Sequence, residues 1–292
     1  MTEQAPKWFT DAISTPSTEH RLGVDGTDIH YLRWGEPTNP GIVFVHGGGA
    51  HAHWWSFLAP MLSRRYSIVA LDLSGHGDSG RRQNYPRRQW AKEVMAVIDD
   101  AAFAGPPVLV GHSMGGLVSI VAAALHSDSL AGVIIVDSPV KKPEPSAQAK
   151  QSNLNPGQLK VYPDLETAMS RFRLIPAQEC KNKYIVGHVA LHSIGQVDGG
   201  YSWKFDPRIF ELVQKEPMEE HLTNISCRIA LLRGEHSVVV PPETGQYMFQ
   251  LLHRKVPLVV IPDAHHHLIL DQPMTFIAVI RALLSDWAHS PT

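Results

Sequence analysis

The sequence predicts a doubly wound, mostly parallel α/β sheet with one helical insertion, and three observations carry that reading. Six short apolar runs recur along the chain, at Ile42–Val45, Ile68–Leu71, Val108–Val110, Val133–Val136, Ile229–Leu232 and Leu258–Ile261. Each run is continuous rather than alternating, as expected of strands covered on both faces. Helical patterns separate most of them, and such alternation builds a parallel sheet because each crossover helix packs back onto it. The alternation lapses once, between Asp137 and Ile225.

Taken in order, residues 1–18 read as a flexible leader. Glu19–Val24 and Thr27–Trp34 flank Asp25-Gly26, a hairpin turn signal that predicts an antiparallel pair. Helices are expected over 52–63, 86–103, 114–126, 241–252 and 273–288. Within the lapse, a polar entry (Lys141–Gln151) precedes two expected helices at 165–174 and 178–193, the stretch Gly199–Pro207 and a further short helix. The expected division is a core of 19–139 and 222–292 with an insertion over 140–221.

Composition bounds the function. A chain of 292 residues, 43% of them hydrophobic, can bury one large core with an inserted subdomain. Its net charge of −2 offers nucleic acid or an anionic membrane surface no electrostatic attraction, so small molecules are the expected partners. The polar N-terminal stretch lacks the apolar core of a secretion signal and no run reaches membrane-span length, so a cytoplasmic protein is expected. Cys180 and Cys227 fit no C-x-x-C pattern and read as buried reduced thiols.

One motif points to chemistry. Gly111-His112-Ser113-Met114-Gly115 leaves the third apolar run and enters a helix. A tight strand-to-helix turn leaves no room for side chains two residues either side of its centre, so glycine is wanted at both places. The turn lifts the serine hydroxyl clear of the sheet, while the Met114 amide at the helix start points at whatever the serine attacks. Three further motifs accompany it: His46-Gly47-Gly48-Gly49 after the first run, Asp72-Leu73-Ser74-Gly75-His76-Gly77-Asp78-Ser79 after the second, and His265-His266-His267 upstream of Asp271-Gln272-Pro273. Adjacent residues point in different directions and no acidic or cysteine ligand has a helpful spacing, so the three histidines are not expected to bind metal. His51 and His53 read as solvated loop residues.

In this order the motifs resemble the α/β-hydrolase superfamily, in its capped esterase, lipase and C–C hydrolase branch, over about residues 19–288. The resemblance implies that the insertion is a cap that shapes the pocket, and that Ser113 is the nucleophile with Gly48 and Met114 as oxyanion donors. It makes the Asp72–Ser79 loop structural, with no catalytic part for Asp72, His76 or Asp78. Family members often place the base seven residues before the proline of the E/D-Q-P step, which is His266, with His265 or His267 as register alternatives. The acid departs from the family pattern: Gly234-Glu235-His236-Ser237 has serine where an aspartate is usual. Asp137, ending the fourth run at the tip of the sixth core strand, is the preferred acid, and Glu235 the alternative.

The activity implied is hydrolysis of a carboxylic ester or lactone through a Ser-His-Asp triad, with no cofactor. A serine nucleophile argues against dehalogenase and epoxide hydrolase chemistry, both of which need a carboxylate there. C–C bond hydrolysis, cofactor-free dioxygenation and a non-catalytic small-ligand receptor remain open on the same scaffold. Phe172, Tyr184, Tyr201, Trp203, Trp54 and Trp55 suggest an apolar or aromatic pocket, or the cap's own core.

Overall fold

The computed structural model describes residues 5–142, 159–210 and 216–289. After helix α1 (Lys7–Ile13), strands β1 (Thr18–Val24) and β2 (Thr27–Trp34) form the expected hairpin about Asp25-Gly26. The first four apolar runs become β3 (Gly41–Val45), β4 (Ser67–Leu71), β5 (Val108–His112) and β6 (Gly132–Val136). Helices α2 (Arg87–Ala101) and α3 (Met114–His126) precede and follow β5. The inserted segment contributes α4 (Leu165–Ser170), α5 (Lys183–His192) and a separate hairpin of β7 (Ile194–Val197) and β8 (Gly200–Trp203). The core resumes with α6 (Glu219–Thr223), β9 (Arg228–Gly234), α7 (Pro242–Leu251), β10 (Leu258–Ile261), α8 (Leu268–Asp271) and α9 (Pro273–His289).

The main sheet has eight strands in the order β1-β2-β4-β3-β5-β6-β9-β10, parallel from β4 onward. All five residues of each of β3, β4, β5 and β6 are buried, and their side chains divide by alternation between two cores. Ile42, Phe44, Val110, Ile134 and Val136 pack with α8 and α9 on one face. Val43, Val45, Leu109, Val133 and Ile135 pack with α2, α3 and α7 on the other. Continuous apolarity therefore reports two covered faces, as it should. At the sheet edge the rule relaxes: β10 keeps only Ile261 fully buried, and Val260 is 45% exposed.

Four expectations are corrected. Residues 7–13 are not a flexible leader, because Phe9 inserts into the core against Phe57 and Tyr184 and is 3% exposed. The helix expected over 52–63 is two 3₁₀ turns, Ala52–Trp54 and Ala59–Met61. There Trp55, Phe57 and Leu58 are all buried, a crowding that no single helical stripe provides, and Pro60 supplies no backbone donor. The lapse is not free of strands, since β7 and β8 pair across Asp198-Gly199, a turn signal of the kind used for β1 and β2. His51 is not solvated: it is 2% exposed and its Nε2 bonds Ser193 Oγ at 2.9 Å.

Residues 143–158, which include all of the polar entry after Lys142, lie outside the described residues. Both cysteines are free, with Cys180 buried and Cys227 partly buried. Among the described residues no helix is long and apolar enough to cross a membrane.

Candidate active site

The ends of β3, β5, β6, β9 and β10 meet around Ser113. β5 stops at His112, and Ser113 adopts φ 55° and ψ −120° before α3 begins at Met114. A non-glycine residue with that backbone is strained, and such strain persists only where surrounding structure enforces it. The glycines of the motif are the enforcing geometry. A Cβ on Gly111 would stand 2.5 Å from the Gly115 carbonyl oxygen, and one on Gly115 2.3 Å from the Val45 carbonyl oxygen. Neither acceptor can move, because both belong to the packed sheet and helix. The Ser113 amide donates to Val136 O at 2.9 Å, which ties the turn to the end of β6.

The next residue of β6's path is Asp137, fully buried with φ 47° and its amide bonded to Leu232 O at 2.8 Å. Its carboxylate meets His266: Nδ1 donates to Oδ2 at 2.7 Å. With Nδ1 carrying the proton, Nε2 holds the lone pair and accepts from Ser113 Oγ at 3.0 Å. Serine, imidazole and carboxylate thus form one hydrogen-bonded chain from three separate strand ends. His265 instead lies 3.5 Å from Asp271, and His267 is buried against Trp54 with Nε2 bonded to Pro176 O at 3.2 Å. Burial pushes His267 down to about 3, helped by the neighbouring His266, so it stays neutral. Glu235 faces solvent, accepts the Asp263 amide at 3.0 Å and makes no contact with His266.

Ser237, which occupies the usual acid position, takes part from there. Its hydroxyl donates to Asp137 Oδ2 at 2.5 Å and accepts the Val239 and Val240 amides at 3.2 and 3.1 Å. The Gly234 amide donates to Asp137 Oδ1 at 2.9 Å. The carboxylate therefore has three donors and no exposure, which suits an ionised group kept beside an imidazole. The sequence shows this serine only as the lack of an aspartate and gives no sign of its hydrogen bond to Asp137.

His46, the first residue of the glycine motif, orients the loop. The Leu73 amide donates to its Nε2 at 3.0 Å, so Nδ1 carries the proton and donates to Gly47 O at 2.7 Å. Because a trans peptide points its N–H opposite to its C=O, fixing the Gly47 carbonyl also fixes the Gly48 amide direction. The loop lies along the serine turn: a Cβ on Gly47 would be 3.2 Å from Ser113 Cβ, and one on Gly48 3.6 Å from Met114 Sδ. Met114 opens α3, so its amide has no acceptor within the helix. His112 steadies the opposite side, with Nε2 donating to His266 O at 3.0 Å.

The Asp72 loop braces this arrangement. Its carboxylate accepts the Ala52 amide at 2.6 Å, the Asp78 amide at 2.9 Å and His30 Nδ1 at 2.8 Å. Burial alone would raise the Asp72 pKa, but the His30 hydrogen bond and the neighbouring histidines outweigh it and hold the group well below the usual carboxylate range. Neither Asp72, His76 nor Asp78 contacts Ser113 or His266 among the described residues.

Beside Gly48 and Gly49 lies a cavity of about 180 Å³ lined by Trp54, Tyr162, Phe172, Trp203 and Phe205, with Arg171 and Arg173 also on its wall. Of the aromatics singled out in the sequence, Trp54, Phe172 and Trp203 reach it. Tyr184 packs on Trp8 and Phe9, Tyr201 packs in the small core of the insertion, and Trp55 stacks on Phe44 at 4.5 Å.

Known proteins share this architecture. An esterase of Mycobacterium tuberculosis is 26% identical over 274 residues, covering 88% of this chain and 86% of that protein. An uncharacterised hydrolase of Bacillus subtilis, YugF, is 32% identical over 253 residues, covering 82% of this chain and 87% of its own. The thioesterase domain from the curacin biosynthetic pathway superposes with a TM-score of 0.78 at 25% identity, covering 91% of this chain and 99% of that domain. The model of the alpha/beta hydrolase family matches residues 42–279. The strand order, the strained serine turn and this match together show that the chain belongs to the α/β-hydrolase family of enzymes.

Proposed function

We propose that this hydrolase cleaves a small carboxylic ester or lactone through a covalent acyl-enzyme. The observation that carries the reading is the chain Ser113 Oγ–His266 Nε2 at 3.0 Å and His266 Nδ1–Asp137 Oδ2 at 2.7 Å. In this reading His266 takes the Ser113 proton as Oγ attacks the substrate carbonyl, and buried Asp137 stabilises the imidazolium that forms. The amides of Gly48 and Met114 receive the developing oxyanion, and loss of one such donor costs about 10²–10³ in rate. The imidazolium then protonates the leaving alcohol, and water deprotonated by the same histidine releases the acid.

The cavity supports a small, largely apolar substrate. Its volume of about 180 Å³ falls below the roughly 300–1,000 Å³ of pockets for drug-sized ligands. The substrate would therefore bear a short acyl or alcohol group held among Trp54, Phe172 and Trp203.

A series of p-nitrophenyl esters tests the proposal. Acetate and butyrate should turn over faster than long-chain esters, and Ser113→Ala should abolish the reaction. Turnover that survives Ser113→Ala, or oxygen uptake with a heteroaromatic substrate in its place, would overturn the ester reading.

A further inference from the structure

Three histidines outside the Ser113 site meet where the inserted segment touches the core. His53 stands in the turn Ala52–Trp54 that follows the glycine loop. His188 and His192 lie one helical turn apart on α5 and so project from the same face. One ring nitrogen of each residue lies within 4.8 Å of those of the other two. The His53 and His192 rings stack with centroids 3.7 Å apart, and His188 stands 4.6 Å from His192.

Their chemistry suits a ligand set. Burial pushes His53 down to about 3 and His188 to about 4, and it lowers His192 as well. All three are therefore neutral near pH 7, the form with a lone pair to offer. Ser56 fixes one tautomer. Its hydroxyl donates to His53 O at 3.0 Å, so its 2.8 Å contact with His188 Nε2 is a donation from that ring, which leaves the lone pair on Nδ1. A hydrogen bond of this kind orients metal-bound imidazoles. The rings of His53 and His192 make no hydrogen bond to a described residue. Of the charges nearby, Asp72 acts on His53 and Asp78 on His192 in the direction that favours a cation, while Lys204 opposes it and is itself paired with Asp78.

We propose that His53, His188 and His192 bind a divalent transition metal, with zinc as the fitting ion, and that the metal clamps α5 to the loop carrying Gly48. Three imidazoles with a water in the fourth place make a tetrahedral set, and Zn–N bonds of about 2.0–2.1 Å ask the rings to tilt out of their stack and close on a common centre. Reading along the sequence could not find this site, because His53 and the α5 pair are distant in the chain and no single stretch shows their spacing. The site stands apart from the ester reading: among the described residues none of the three bonds Ser113, His266 or Asp137.

A second histidine group, His112, His266 and His267, is the competing location for a metal. The full chain, stripped with a chelator and dialysed, would be titrated with Co²⁺ while its visible absorption is followed, and with Zn²⁺ by calorimetry. One equivalent should bind, with a tetrahedral cobalt spectrum and a rise in Tm on adding zinc. His188→Gln and His192→Gln should each weaken binding by more than about 100-fold, beyond the 10–100-fold typical of losing an outer partner. His267→Gln should bind as the wild type does. Melting curves in chelator report whether each variant folds. If the glutamine variants do not, Ser56→Ala, which removes the outer hydrogen bond to His188 together with the one to the His53 carbonyl and no ligand atom, should weaken cobalt binding by about 10–100-fold. Absence of a tetrahedral cobalt spectrum in the wild type, unchanged affinity in the folded α5 variants or in Ser56→Ala, or loss of binding in His267→Gln would each overturn the proposal.

Discussion

Replacing Asp137 with asparagine changes one atom and separates two ways of failing. The wild-type Oδ1 accepts the Gly234 amide, while Oδ2 accepts both Ser237 Oγ–H and His266 Nδ1–H. If the asparagine oxygen stays toward Gly234, its NH₂ faces His266, which must then accept at Nδ1 and carry its proton on Nε2. A protonated Nε2 cannot take the Ser113 proton, so kcat should fall by about 10⁴, the size of effect known for the wrong imidazole tautomer. That corresponds to about 5 kcal/mol of transition-state stabilisation. If the amide flips, its NH₂ meets the Gly234 N–H and leaves buried donors facing each other, which costs about 1–3 kcal/mol of stability. Steady-state hydrolysis of p-nitrophenyl acetate, measured beside a urea melt, distinguishes the two: a large kcat loss at near-normal stability is expected. Glu235→Gln is the control, since that carboxylate touches the Asp263 amide and not the imidazole. An Asp137→Asn enzyme within about tenfold of wild type, a smaller loss than any removal of a triad function, would refute the reasoning. So would a Glu235→Gln enzyme as inactive as Asp137→Asn.

Three other outcomes follow from the same contacts. Ser237→Ala deletes the 2.5 Å donor to Asp137, and a hydrogen bond to a charged acceptor is worth about 1.5–3 kcal/mol; the urea midpoint should drop accordingly while kcat falls less than in Asp137→Asn. Gly115→Ala would press a Cβ to 2.3 Å from Val45 O and 2.4 Å from His46 O; the unfolding free energy should fall by at least about 3 kcal/mol, the upper range for overpacking, and a variant of normal stability would contradict the account of the turn. His76 and His267 are almost wholly buried and each is pushed down to about 3, mainly by burial. A folded-state pKa below the unfolded value means their contribution is complete above about pH 6.5 and erodes as pH falls, by up to about 1.4 kcal/mol per pH unit for each. The urea midpoint should therefore decline from neutral pH toward pH 5, and a midpoint that rises on acidification would show these rings to be charged in the folded protein.

Local patterns on their own determined much of this protein. Continuous apolar runs marked the buried strands because two-sided burial leaves no polar face, and the glycines around Ser113 announced the turn because backbone crowding tolerates nothing larger. These signals depend only on neighbours a few residues away. They placed the edge strand β10 but overstated its burial, because one neighbour is missing there, and they misread the turns after β3, where crowding from several elements overrides helical periodicity. What tertiary structure alone decided were the pairings between distant segments. Asp137 and Ser237 lie 100 residues apart, yet share one hydrogen bond that makes a serine in the usual acid position a donor to the Asp137 carboxylate. His46 acquires its tautomer from the Leu73 amide, and His53 meets α5, only once the sheet has brought those elements together. Hydrogen bonds act over about 3 Å, so which polar groups meet is a property of the packed chain, and the residues that orient this site could be recognised only there.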